Sequence, residues 1–259
     1  MAKINKQNNI KLYKKRLLSI VLGVSVIAFS SLIVYAYLTS SSEVVNKVQI
    51  GNNTIEIIEE FTPPKKQTIN TIFKKKVQVK NTGNVPCYIR VYADFSDGEI
   101  RAISFFSNYE STSETTLDET SFLDENYISE IANGIKGSNP YGFYSAKRDV
   151  TDDSNYVNLS HLPTNWVFIP DNETGDDSAL KGYYYYTKEV APGDVTSPLF
   201  TYIMTIYKDE QNIKQFDVIV YGESVQVTDK NGDTFEDDTD ENGIKAWKKA
   251  WREFLDLAD

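Results

Sequence analysis

The side chains that do chemistry most often are scarce in this chain. One His and one Cys stand among 259 residues. His161 lies in Leu159-Ser160-His161-Leu162-Pro163. A catalytic zinc takes three protein ligands, often two or more of them His, and nothing around His161 has that spacing; it reads as a loop His with no ligand role. Cys87, between Pro86 and Tyr88, has no His near it in sequence and no cation to stabilise a thiolate, so it reads as a small buried apolar residue rather than a nucleophile. HExxH motifs, Cys-rich zinc sites and an internal disulfide are excluded outright. No catalytic residue and no organic cofactor is assigned. Oxygen ligands are better represented. Asp238-x-Asp240-x-Asn242-Gly243 reproduces the first six positions of a calcium loop, alternating oxygen donors and then a Gly for the turn. The twelfth position is Lys249 where a bidentate Glu belongs, and an overlapping start at Asp229-x-Asn231-x-Asp233 has Thr234 in place of the Gly. Asp238, Asp240 and Asn242 are thus a weak calcium candidate; the competing reading is an acidic loop whose carboxylates favour the N-terminus of a helix starting near Gly243. Tyr183–Tyr186, four tyrosines in a row, suggest either a stacking platform for sugars or a strand covered on both faces. The second is the ordinary role of aromatics in strands.

Charge and hydropathy show what must position these residues. The formal net charge is −10. Residues 1–36 hold six cations (Lys3, Lys6, Lys11, Lys14, Lys15, Arg16) and no acid; taking six from 27 basic groups leaves 21 against 37 acidic groups in 37–259, a net of −16. Such a body repels a phosphate backbone, and nucleic acid is excluded as a partner through any broad basic surface. From Leu17 to Ser42 there is no charged residue. A helix of roughly 20 apolar residues spans a hydrocarbon core of about 30 Å. Lys14-Lys15-Arg16 before it stay on the cytoplasmic side, so the chain on its far side is exported. Val34-Tyr35-Ala36 offers small residues at −3 and −1 of a signal cleavage site after Ala36. Residues 1–36 are therefore a cleaved signal peptide or a retained anchor, with 17–38 as the membrane segment, and the rest is extracellular or held at the cell surface. The membrane is a partner during export, as is a signal peptidase.

The exported part is long enough for one large β domain that needs no disulfide. Thr54–Glu60 is rich in β-branched residues and stops at Pro63-Pro64. Phe73–Lys80 alternates, with Phe73, Val77 and Val79 on one face and Lys on the other. After the Asn81-Thr82-Gly83-Asn84 turn, Cys87–Phe95 alternates again, and the pair predicts a hairpin. Further strands are predicted at Trp166–Ile169, Lys181–Val190, Leu199–Tyr207 and Phe216–Tyr221, with turns at Pro192-Gly193-Asp194 and Asp209–Asn212. The fold class is all-β, an antiparallel β-sandwich at 37–228 with an irregular, partly helical insertion at 96–165. An acidic loop and an amphipathic helix complete the chain at 229–259, the helix stripe being Ile244, Trp247, Trp251, Phe254, Leu255 and Ala258.

Taken in order, several blocks resemble the TasA/camelysin family of Gram-positive bacteria. They are the long apolar leader ending near Val34-Tyr35-Ala36 with its Ser/Thr-rich sequel; Val77–Asn84 with Cys87-Tyr88-Ile89-Arg90-Val91; the tyrosine run followed by Ala191-Pro192-Gly193-Asp194 and Pro198-Leu199-Phe200; and Glu223-Ser224-Val225-Gln226 with Ala246-Trp247. The stretches 96–165 and 229–242 match nothing in it. The resemblance implies a jelly-roll sandwich and a leader cut by a dedicated signal peptidase of the SipW type. It further implies a structural role in a biofilm matrix or fibre, through self-association or pairing with a related matrix protein. In such assembly an N-terminal strand freed by cleavage pairs with the next subunit, a form of β-strand addition. The candidate donor is Glu43–Ile50, extended toward Ile57, with Val44, Val48 and Ile50 on one face; the same segment could equally be the first strand of its own sandwich. Camelysin-like relatives imply a surface metalloendopeptidase as the alternative, against which the lone His161 counts. A calcium-dependent adhesive module is the third reading.

Overall fold

The computed structural model describes residues 53–62, 68–109, 125–133, 139, 141–149, 162–238 and 243–256. Among these residues nine strands form two antiparallel sheets. The first sheet runs β1-β2-β8-β4-β5 and the second β6-β7-β3-β9. The strands are β1 Ile55–Thr62, β2 Asn70–Asn81, β3 Cys87–Phe95, β4 Ser104–Ser107, β5 Phe143–Ser145, β6 Trp166–Ile169, β7 Tyr183–Val190, β8 Phe200–Ile206 and β9 Val218–Gln226. The α-helices that accompany them are α1 Gly98–Ala102, α2 Glu125–Ala132 and α3 Ala246–Phe254.

Alternation fixes which side of each strand is buried. Val77 and Val79 of β2, Cys87, Ile89, Val91 and Ala93 of β3, Phe168 and Tyr184 of the second sheet, and Phe106, Phe200 and Ile203 of the first meet in one buried cluster. Phe106 stacks on Phe200 at 4.4 Å, and Phe168 lies 4.4 Å from Tyr184. Each such side chain removed from water contributes about 1.5–3 kcal/mol, so this inter-sheet layer is the main source of stability. The outer face of the first sheet is covered at Ile72, Phe105 and Met204 by Ile131 of α2. That of the second is covered at Tyr88, Tyr185 and Val225 by Trp247 and Trp251 of α3.

The expected hairpin between β2 and β3 does not form. β2 pairs with β1 and β8, and β3 pairs with β7 and β9. Both strands point their apolar residues at the same core, so they face each other across it rather than lie side by side. The turn after Asn81 is a corner between sheets. Asn81 is fully buried there: its Nδ2 donates to Val85 O (2.8 Å) and Val190 O (2.9 Å), and its Oδ1 accepts from Gly83 N–H (2.9 Å). Its own C=O accepts from Gly193 N–H, in the turn that leads from β7 to β8. One residue thus holds both crossings. The lysines of β2 do not all face outward either. A bulge lies between Lys74 and Val77, and Lys75 is buried with its Nζ 2.8 Å from Glu59 and over the Phe61 ring.

The stretch 96–165 is not merely an insertion, since it supplies β4 and β5 to the first sheet. Both are too short to alternate visibly, and all their residues are buried. β9 also runs on past Tyr221 to Gln226. The last helix covers less than its stripe: it starts at Ala246, ends at Phe254 and leaves Phe254 exposed.

Candidate functional site

Two regions of this scaffold present groups to a partner. The first is the side of the sandwich where β1, the outer strand of one sheet, comes near β9, the outer strand of the other. Neither has a further strand on its far edge among the described residues. Ile55 and Ile57 of β1 lie against Gly222 of β9; a Cβ there would sit 3.1 Å from Ile55 Cδ1, so the glycine admits the close approach. Asn53 Nδ2 donates to Ser224 O at 2.9 Å, a single hydrogen bond from the chain ahead of β1 to the edge of β9. Along β1 the exposed Glu60–Lys74 pair, 2.8 Å, sets charges on the rim, as does Glu59, whose partner Lys75 (2.8 Å) is itself buried. Charges on an edge discourage indiscriminate strand pairing. The candidate donor residues Val44, Val48 and Ile50, like the cleavage position Ala36, lie outside the described residues. The extension toward Ile57 is engaged within the chain: Ile55 and Ile57 pair with Asn81 and Val79 of β2.

The second region is the outer face of the second sheet. The four successive tyrosines do not share it. Tyr184 and Tyr186 point into the core, and Tyr185 lies under α3 with its hydroxyl donating to Leu180 O (2.7 Å). Burial pushes the Tyr185 hydroxyl up to about 12. Tyr183 alone stays partly open, and it belongs to a different row. Tyr92 of β3 pairs in register with Tyr221 of β9, and Tyr92 and Tyr183 meet ring to ring at 5.9 Å. Two buried arginines back this row. The Arg90 guanidinium lies 4.1 Å from the Tyr183 ring centre and 4.3 Å from that of Trp251, and its Nε donates to Glu223 (2.6 Å). The Arg148 guanidinium lies 4.2 Å from the Tyr92 ring centre. It donates to both oxygens of Asp171 (2.9 and 3.0 Å), to Ala93 O (3.2 Å) and to Gly182 O (2.6 Å). Arg101 donates to Asp94 at 3.0 Å beside it. Sequence reading misses this cluster, because the row runs perpendicular to the chain and exists only once the register of three strands is known.

Of the calcium-loop candidates, Asp240 and Asn242 lie outside the described residues. Asp238 Oδ2 accepts from Ile244 N–H (2.8 Å), and Oδ1 pairs with the Lys249 ammonium, the residue at the twelfth position. Lys249 and the Ile244 N–H hold its carboxyl below the usual range. Asp237 accepts from Ala246 N–H (2.8 Å) and from Lys245 (3.2 Å), in that order the causes of its own lowered pKa. The two carboxylates bind the donors that open α3, a role consistent with the helix's need for acceptors there. Asp229 closes the neighbouring turn, accepting from the N–H groups of Asn231 (2.8 Å) and Asp233 (2.9 Å). No cluster of three metal-ligating side chains occurs among the described residues.

Cys87 is fully buried in β3, and burial first, the nearby Glu189 second, pushes its thiol up to about 12. His161 lies outside the described residues. A cavity of about 340 Å³ opens beside α1, lined by Ile100, Ile103, Tyr207 and Ile213 together with the charged Glu99 and Lys214. Lys214 is held between Asp97 (2.6 Å) and Glu99 (2.8 Å). No helix among the described residues is long and apolar enough to cross a membrane; the apolar segment 17–38 lies outside them. No protein-family model matches the chain, and no curated protein sequence matches it.

Proposed function

We propose that this is an exported structural protein of the TasA/camelysin type, acting at the cell surface or in a biofilm matrix and assembling by β-strand addition. The observation that carries the reading is the open edge of β1, which comes only a few residues after Glu43–Ile50 and lies beside the equally open edge of β9. A strand arriving from a second copy or a related matrix protein finds backbone donors and acceptors at edges that have no strand partner among the described residues, Ser224 O being already engaged by Asn53, and alternate apolar side chains set its register. The charged rim of β1 restricts that pairing to a matched strand. Export supplies the free segment: residues 17–38 enter the membrane, and a dedicated signal peptidase cuts after Ala36. Within this proposal the sandwich is a jelly roll. The pairs β2–β8 and β3–β7 are successive stretches of one antiparallel ribbon that folds over from sheet to sheet. The helix α3 closes its outer face.

N-terminal sequencing of the protein recovered from cells and from medium is the test of the export step, with Tyr37 as the expected first residue of the released form. Electron microscopy of that form should show filaments, and deletion of 43–50 should leave folded monomers. An intact protein in the cytosol, or strict monomers at high concentration with 43–50 present, would refute the proposal. Stoichiometric zinc with chelator-sensitive proteolysis would replace it with the metalloendopeptidase reading.

A further inference from the structure

We infer that the outer face of the second sheet is a binding site for a neutral glycan, built on the tyrosine row Tyr183–Tyr92–Tyr221. Three features support a ligand of that chemistry. The first is shape. The three tyrosines stand on adjacent strands, so at about 4.8 Å per strand the row is roughly 10 Å long, the span of two linked pyranose rings. Tyr221 is 52% exposed, and Ile219, two residues before it on the same face of β9, is 46% exposed and extends the apolar surface along the strand. Pyranose rings carry apolar C–H faces that lie against aromatic rings, while their hydroxyls need polar neighbours at the ring edge. Those neighbours are present. Tyr92 Oη donates to Asp94 Oδ2 (2.8 Å) and Tyr221 Oη donates to Glu223 Oε1 (3.1 Å), which leaves each phenolic oxygen free to accept from a sugar hydroxyl.

The second feature is charge. Arg90, Arg101 and Arg148 are matched by Glu223, Asp94 and Asp171. The patch is therefore neutral, on a body that carries a strong negative excess. An anionic polymer is repelled by that body, and a cation finds no unmatched carboxylate in the patch. The third feature is rigidity. Arg90 is fixed between two rings and a carboxylate, and Arg148 by Asp171 and two main-chain carbonyls, so Tyr183 and Tyr92 rest on supports that do not yield. A surface held ready in this way loses little entropy when a weak, repetitive ligand binds. The exposed apolar area of the row and Ile219 is roughly 300 Å², less than half of what one partner contributes to a stable protein interface. The patch is the size for a short run of sugar rings.

The inference does not depend on the fibre reading. Isothermal titration of the protein recovered from expressing cells with chitohexaose, cellohexaose and laminarihexaose tests it. At least one should bind with a Kd between micromolar and millimolar. Tyr221→Ala should weaken that binding roughly tenfold or more without moving the melting temperature, because the ring stands on an exposed edge strand. Val195→Ala, an exposed apolar residue on another part of the surface, should leave the Kd unchanged. No heat from any of the three at millimolar concentration would overturn the inference, as would binding indifferent to Tyr221→Ala. A change in self-association on Tyr221→Ala, read by sedimentation, would also overturn it and assign the patch to a second copy. Deletion of 43–50 should not touch glycan binding, so failure of assembly and failure of this site are read separately.

Discussion

Removing the Arg148 guanidinium should cost about 3–5 kcal/mol of folding stability, and the structure indicates where that loss comes from. Arg148 comes just after β5 of the first sheet, yet all its partners lie on or beside the second. It is 5% exposed. Its pair with Asp171 is the least valuable part, because the Asp171 side chain is 42% exposed and such a half-solvated ion pair is worth about 1 kcal/mol or less. The remaining two hydrogen bonds go to Ala93 O and Gly182 O, which lie in register just beyond the last β3–β7 pair, Val91–Tyr184, where the ladder no longer serves them. Leaving each without its donor costs about 1–3 kcal/mol. Loss of stacking on Tyr92 adds up to about 1–2 kcal/mol. Arg148→Met keeps the apolar stem and removes the guanidinium. Urea unfolding of wild type and Arg148→Met in low salt and in molar NaCl should return the same difference to within about 0.5 kcal/mol, since hydrogen bonds to buried carbonyls are not screened. A difference under about 1 kcal/mol, or one that vanishes in high salt, would show that the residue is only a surface ion pair and that the sheets are joined without it.

Gly182 has φ +85°, and a Cβ there would lie 2.6 Å from Arg148 Nη2 and 2.8 Å from Asp171 Oδ1. Gly182→Ala should therefore destabilise by about 2–4 kcal/mol, more than the roughly 1–2 kcal/mol of a left-handed alanine alone, and thermal melting checks it. Cys87 should not react with a disulfide reagent at pH 8 in the folded protein, because a thiol raised to about 12 holds almost no thiolate there; labelling should appear only in urea, and fast labelling without it would refute the burial. Asp237 and Asp238 have folded pKa values below their unfolded ones, so their contribution is present above about pH 4 and lost as pH falls through the lowered values. Acidification from pH 5 to 2 should release α3, seen as a red shift of Trp247 and Trp251 emission, and Asp237→Asn/Asp238→Asn should flatten that transition.

The parts of the fold legible in the sequence are those where one periodicity acts over several residues. β3 is readable to its end residues, Cys87–Phe95, because alternation there is unbroken. Partners are not readable: the β2–β3 connection looks like a hairpin by composition, and only the shared core shows that the two strands face each other. β4 and β5 escape because Ser-Phe-Phe-Ser and Phe-Tyr-Ser are buried on both faces and carry no period. The tyrosine run is legible as strand, but the one of its four residues left partly open is Tyr183, set beside Tyr92 and Tyr221 by pairings between strands distant in sequence. Lys249 shows the same limit: it breaks the calcium pattern in the sequence, and in the fold it is the ion-pair partner of Asp238.

The corner at Asn81 also dictates the order in which this chain can become a protein. β3 finds its neighbours only among residues 183–190 and 218–226, and β2 meets β8 only at 200–206. Until those late segments arrive, the strand pairings open to the described residues are β1 with β2 and, once 143–145 follow, β4 with β5. A topology of such distant contacts folds slowly. A polypeptide threaded across a bilayer from its amino end would thus hold little beyond the β1–β2 pair until its final third has cleared the pore, and neither sheet could close before then.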